Sequence, residues 1–122
     1  LIVDDDPTIR LLSRKIVERA GFDSGSVENG LLAIEAVYAG AFDLILMDVQ
    51  MPVLGGIEAT EAIRKHERGQ LAHTPIVGYS AHGNSEECMQ AGMDDFIQKP
   101  AAIGALTAKL RLWLEPKAQE LR

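Results

Sequence analysis

The chain has one cysteine among 122 residues, Cys88, so no internal disulfide can form and the usage fits a reducing compartment. Positive charge is also scarce: 12 Lys and Arg stand against 18 Asp and Glu, a formal net of −6. A general nucleic-acid binder needs a basic face to displace counterions from phosphates, so no direct nucleic-acid partner is expected. No apolar run approaches the ~18 residues of a membrane span, and no direct membrane contact is expected. There is no signal peptide, although the chain begins without Met and directly in an apolar run, compatible with a missing N-terminal piece. Repeats, low-complexity segments and internal linkers are absent from the sequence. What is there is ordinary: 47% hydrophobic and 25% charged residues, enough for one acidic soluble domain of cytoplasmic type.

Short apolar runs alternate with longer amphipathic stretches. Leu1-Ile2-Val3 ends in Asp4-Asp5-Asp6, and Pro7 suits the first turn of a helix capped by Asp6. In that helix Ile9, Leu12 and Ile16 keep helical spacing, and Gly21 is its stop. A weak strand spans Asp23 to Val27, and Asn29 caps a helix carrying Leu31, Ile34 and Val37. Asp43 to Met47 has no polar alternation, the sign of a strand buried on both faces. A loop through Met51-Pro52 and Gly55-Gly56 leads to a helix from about Ile57 to His66, and Pro75 to Tyr79 is another buried strand. A helix from about Asn84 to Ala91, a short strand Asp95–Gln98 and a helix from about Ala102 to Glu115 follow, the last with Ile103, Leu106, Leu110 and Trp113 on one face. This is βα five times over, which predicts a parallel five-stranded sheet with helices on both faces. Residues 1–116 form the expected domain, and 117–122 read as a tail or linker.

In an open parallel sheet ligands bind beyond the carboxyl ends of the strands. The residues there are Asp4 and Asp5, then Asp48, Ser80 and Lys99. The second strand contributes nothing comparable, which suggests it lies at the edge. Carboxylates brought together repel, and a hard divalent cation removes the conflict. Mg²⁺ is the natural candidate, since it takes one or two carboxylates and keeps sites for water and a phosphate oxygen. Lys99 adds a second positive charge and Ser80 a hydroxyl, the surroundings that a phosphoryl group in transfer requires. A carboxylate can itself be the covalent acceptor, so the residues suggest an aspartyl-phosphate site.

Four stretches carry a family likeness: Leu1-Ile2-Val3-Asp4-Asp5-Asp6-Pro7, Leu46-Met47-Asp48-Val49-Gln50-Met51-Pro52, Pro75-Ile76-Val77-Gly78-Tyr79-Ser80-Ala81, and Ala91 through Phe96 to Lys99-Pro100. Together they resemble a response-regulator receiver domain over almost the whole chain. The resemblance implies a flavodoxin-like (βα)5 three-layer sandwich with strand order 2-1-3-4-5. It implies that Asp48 accepts a phosphoryl group from phosphohistidine on a histidine kinase or histidine phosphotransfer domain. It further implies Mg²⁺ at Asp5 and Asp48, with Asp4 assisting and Gln50 offering its backbone carbonyl. Ser80 and Lys99 would meet the phosphoryl oxygens, and Phe96 stands where the family places an aromatic switch residue. The output surface would be the helix from Asn84, the strand Asp95–Gln98 and the closing helix. Gln50 and His82 would tune dephosphorylation, although His82 is equally readable as an ordinary exposed loop histidine. Such domains assist their own phosphorylation and usually hydrolyse the product. The Lys99–Pro100 peptide is cis in many relatives.

Some residues depart from the family pattern. Ser80 replaces the commoner threonine, Phe96 lacks a phenol, and Leu54-Gly55-Gly56 stands where Met-Asp-Gly is frequent. The second and fourth motifs look most like receivers attached to hybrid sensor histidine kinases, and that resemblance implies a cytoplasmic module of a larger, membrane-anchored protein. A free-standing, single-domain response regulator, monomeric or weakly dimeric, is the alternative. A haloacid-dehalogenase-like phosphatase would want a second acid two residues after the nucleophile, where this chain has Gln50. A docking-only pseudo-receiver typically loses the acceptor, an acidic partner or the lysine, and none is lost here.

Overall fold

A computed structural model describes residues 1–40, 42–68, 73–81, 85–99 and 103–114. The elements alternate as expected: β1 (Ile2–Val3), α1 (Pro7–Arg19), β2 (Ser26–Val27), α2 (Gly30–Ala39), β3 (Ile45–Asp48), α3 (Gly56–Glu67), β4 (Ile76–Ser80), α4 (Ser85–Ala91), β5 (Asp95–Gln98) and α5 (Ile103–Leu114). The strands form one sheet in the order β2-β1-β3-β4-β5, and all its pairs are parallel. The weak second strand is therefore at an edge, as expected. His82, Pro100 and residues 117–122 lie outside the described residues, as do Asn84, Ala102 and Glu115, and with them the expected tail, cis peptide and loop histidine.

The central strands are buried on both faces because alternate side chains go to opposite layers. Ile45, Met47 and Ile76 join Ala33, Ala59, Ile63, Cys88 and Met93 beneath α2, α3 and α4. Leu44, Leu46 and Val77 join Val17, Leu106 and Leu110 beneath α1 and α5. Each helix needs only one apolar stripe, whereas β3 needs two, and its unbroken apolar run supplies both.

Helix starts follow local chemistry. Asp6 is the cap of α1, accepting hydrogen bonds from the N–H groups of Thr8 (2.8 Å) and Ile9 (3.4 Å). Asn29 caps α2 by accepting from Leu32 N–H at 2.9 Å. At α3 the cap is Gly55, which has no side chain to offer, so the start of that helix rests on packing instead. Three helix faces differ from the spacing argument. In α1 the buried residues are Ser13 and Val17, while Leu12 is 54% exposed. The true stripe runs through Ile9, Ser13, Ile16 and Val17, and the small polar Ser13 hides its centre from an apolar count. In α5, Leu106 and Leu110 are buried but Ile103 is exposed; Leu31 in α2 is exposed as well.

The amino ends of β4 and β5 are tied by an ionic knot. The Arg64 guanidinium of α3 donates to Gly92 O (2.8 Å), Thr74 O (2.8 Å), Glu67 Oε1 (2.6 Å) and Asp94 Oδ2 (2.7 Å). Asp94 Oδ2 also accepts from Ile76 N–H, and Glu67 Oε2 accepts from Thr74 N–H, both at 2.9 Å. These charges are mostly buried and mutually satisfied, which is the condition for tolerating them. A second tie joins β5 to α5: Lys109 Nζ donates to both Asp95 oxygens at 2.8 Å, and Trp113 Nε1 donates to Oδ2 at 3.0 Å.

Two predictions follow from this frame. Val53, 76% exposed, has φ of 70° in the turn closed by Leu54 N–H donating to Pro52 O at 2.8 Å. A β-branched residue is strained there. Val53→Gly is expected to stabilise by about 1 kcal/mol, a low figure because glycine also frees the unfolded chain. An unmoved or lower urea midpoint would count against that strain. The second concerns Asp95. Burial would raise its pKa, but the bonds from Lys109, Trp113 and its neighbour's N–H prevail and hold it below the ordinary 3.8. Its stabilisation is therefore present above the ordinary value and lost as the pH falls through the depressed one. The stability gap between wild type and Asp95→Asn should be widest near neutrality and close on acidification below about pH 4, read from urea unfolding at several pH values.

Candidate functional site

The parallel register assembles the strand ends. Val3 pairs with Met47, so Asp4, the next residue, comes beside Asp48. Asp48 pairs with Tyr79, and Ser80 pairs with Gln98. Lys99 N–H then donates to Ser80 O at 2.8 Å, which carries the lysine to the same edge. The carboxylates of Asp4, Asp5 and Asp48 each present an oxygen within 4.8 Å of the others. Asp4 and Asp48 are buried and Asp5 is exposed, so the cluster opens to solvent at Asp5.

Lys99 Nζ lies 3.2 Å from Asp48 Oδ1 and 3.3 Å from Asp4 Oδ2. It also sits 4.8 Å from the centroid of the Tyr79 ring, a cation–π contact that holds the ammonium at the edge. Asp4 is oriented further by Asp6 N–H, which donates to its Oδ1 at 2.9 Å, and Arg10 Nη1 donates to its carbonyl at 2.8 Å. Gln50 N–H donates to Asp48 Oδ1 at 3.4 Å, while the Gln50 side chain is exposed.

Electrostatics separate these groups. Burial, then the charge of Asp4, pushes Asp48 up to about 6 despite Lys99 and the Gln50 N–H. Burial works against the charge on Lys99, but Asp48 and Asp4 outweigh it and raise its pKa. Three oxygen donors with excess negative charge, one open to solvent, fit a hard divalent cation such as Mg²⁺. Asp48 remains a nucleophilic carboxylate beside a cationic side chain, which suits attack on an electrophilic phosphorus.

Of the residues expected at this edge, Asp4, Asp5, Asp48 and Lys99 are in one cluster, and buried Ser80 ends the strand between those of Asp48 and Lys99. Phe96 is not in the cluster. It is half-buried on β5, packed against the core under α4. Two contributors were missed by sequence reasoning. Tyr79 was visible only as a strand residue, and its role emerges from being Asp48's cross-strand partner. Gly56 reads as loop in the sequence, yet its N–H donates to Val49 O at 2.9 Å and a Cβ there would lie 2.2 Å from Asp48 O. The start of α3 is thus seated directly on the backbone of Asp48.

The comparisons agree with this geometry. A family model described as the response regulator receiver domain matches residues 1–111. Sensor protein GacS of Pseudomonas syringae pv. syringae is 43% identical over 118 residues, covering 93% of this chain and 13% of that protein. The chain thus spans only a small part of such relatives. The crystallised receiver domain of sensor histidine kinase PA1611 from Pseudomonas aeruginosa PAO1, with magnesium coordinated in its active-site cleft, superposes with a TM-score of 0.84 at 32% identity over 93% of this chain and 94% of that one. The receiver domain of Ssk1 from Saccharomyces cerevisiae, solved with the histidine phosphotransfer protein Ypd1, gives a TM-score of 0.85 at 27% identity over 96% of this chain and 88% of that one.

Gly56→Ala is expected to cost about 1–3 kcal/mol through overpacking and, by displacing Asp48, to weaken Mg²⁺ binding several-fold. Thermal unfolding and calorimetric titration check the two effects. A destabilised variant with unchanged Mg²⁺ affinity would show that the contact does not position the carboxylate.

Proposed function

The chain belongs to the response-regulator receiver family, a phosphorelay module, and on that premise we propose that Asp48 is its phosphoacceptor. The single observation that carries this is the carboxylate cluster with Lys99 Nζ 3.2 Å from Asp48 Oδ1. An Asp48 oxygen forms a bond to phosphorus as the bond from phosphorus to a phosphohistidine nitrogen breaks. The imidazole leaves with that electron pair. Lys99 stays beside the new acyl phosphate and offsets its charge, while Ser80 supplies a hydroxyl donor once it turns toward the phosphoryl oxygens.

Asp5 and Asp48, with Asp4 and the Gln50 carbonyl assisting, are the groups we assign to Mg²⁺. Bound there, the ion would neutralise carboxylate and phosphoryl charge. Asp5 is the exposed member, suited to exchange with solvent, whereas Lys99 engages both Asp4 and Asp48 and the Asp6 N–H adds a further bond to Asp4. A phosphoryl group adds about −1.5 to −2 charge, enough to bias a two-state element. We assign that element to Ser80 and Phe96, read out through α4, β5 and α5. Gln50 and His82 are proposed to tune the attack of water on the phosphoryl group.

The phosphoryl donor is a histidine kinase or phosphotransfer domain in this reading, which the likeness to the Ssk1 receiver supports. The likeness to GacS, of which this chain covers 13%, supports a place in a longer sensor protein; that this protein is a hybrid kinase with the module on its cytoplasmic side is part of the proposal. No helix among the described residues is long and apolar enough to cross a membrane.

Incubation with acetyl phosphate and Mg²⁺ is expected to label the wild type, with a hydroxylamine-labile bond, and to leave Asp48→Asn and chelator-treated protein unlabelled. Full labelling of Asp48→Asn would overturn the acceptor assignment. Full labelling in excess chelator would overturn the metal assignment.

A further inference from the structure

Gly78 is buried in the middle of β4, directly opposite Phe96 of β5 and two residues before Ser80. Strand alternation puts Ile76, Gly78 and Ser80 on one face of the sheet. That face is covered by α4 and the turn after it, through the buried Cys88 and Met93, with Phe96 packed against the same cluster. A Cβ at position 78 would lie 2.6 Å from Met93 Sδ, 3.4 Å from Phe96 Cδ2 and 3.6 Å from Cys88 Sγ.

Glycine in a strand interior weakens the strand, so its presence calls for a reason. Positive φ is not that reason here, since only Gly21 and Gly92 have it among the described glycines. Space is. A thioether, a thiol and the edge of an aromatic ring close over bare backbone where any side chain would stand. Interiors packed to this density respond to a single methyl group.

We infer that Gly78 is a positioning residue for the switch: its missing side chain forms the seat of the Phe96 ring and of Met93, and the volume at this position sets how far an event at Asp48 is relayed to α4 and β5. The inference rests on the assignment of Ser80 and Phe96 as the responding element. A methyl at 78 forces Met93 aside and stands at contact distance, 3.4 Å, from the Phe96 ring. With that space filled and Met93 moved, the surroundings of the ring change and it has less room to travel when the site is loaded.

The test uses the full chain labelled with 4-fluorophenylalanine, in which three fluorine signals arise and Phe96→Leu assigns the relevant one. Beryllium fluoride with Mg²⁺ serves as the phosphoryl mimic. In Gly78→Ala the unloaded Phe96 signal should be displaced, and the change on loading should fall at least twofold. Mg²⁺ affinity should stay within twofold of wild type. Adding Met93→Ala to that variant should restore the response in part, because the methyl then has the room the thioether vacated. Met93→Ala alone should also lower it, and this carries the test if Gly78→Ala fails to fold. A wild-type response in Gly78→Ala, or in Met93→Ala where that variant stands in, overturns the inference. So does an equal loss of Mg²⁺ affinity and response, which marks general distortion. No response in the wild type overturns the functional reading beneath it, and the inference falls with it.

Discussion

Mutual repulsion among Asp4, Asp5 and Asp48, held within 4.8 Å of one another, is the constraint around which the molecule is arranged. Carboxylates this close repel one another and call for compensating positive charge. Lys99 supplies part of it from the far side of β4, supported by the face of Tyr79. What remains is a deficit of positive charge at an edge open to solvent through Asp5. That deficit makes the site receptive to a cation and then to an anion, and a surplus of lysines there would have satisfied the acids permanently.

Keeping the acids in place demands a rigid backbone around them. The strands meet that demand through shared register, since Asp48 is fixed by pairing with β4 and Asp4 by its place after β1. Helix α3 adds a steric stop, with Gly56 lying on the carbonyl of Asp48. The start of α3 has no side-chain cap, and there the Val49 carbonyl accepts from the Gly56 N–H, whereas at α1 the Asp6 side chain is the acceptor. The same economy recurs at Gly78, where absence of a side chain is again the functional property. In both places glycine is chosen for proximity.

Much of this was legible in the sequence, for identifiable reasons. Unbroken apolar runs such as Leu44 to Met47 announce strands buried on both faces, and the polar residues that end them mark the edge of the sheet. Strand-end position alone therefore assembled Asp4, Asp5, Asp48, Ser80 and Lys99 as candidates. The orientation of α1 was not legible, because Ser13 lies at the centre of its buried stripe while Leu12 faces solvent. Tyr79, Gly56 and Arg64 escaped for a different reason. Each matters through a contact with a residue distant in sequence, and no local pattern encodes which strand or helix will be the neighbour.

The Arg64 knot has a mechanical consequence. It clamps the turn before β4 to the turn before β5, with four oxygen acceptors around one rigid guanidinium. The carboxyl ends of the same two strands bear Ser80 and Lys99. The pair is thus built like a cantilever, anchored at the end away from the acids and loaded at its tip. In the switch proposed for Ser80 and Phe96, a displacement of that tip would start from a fixed root.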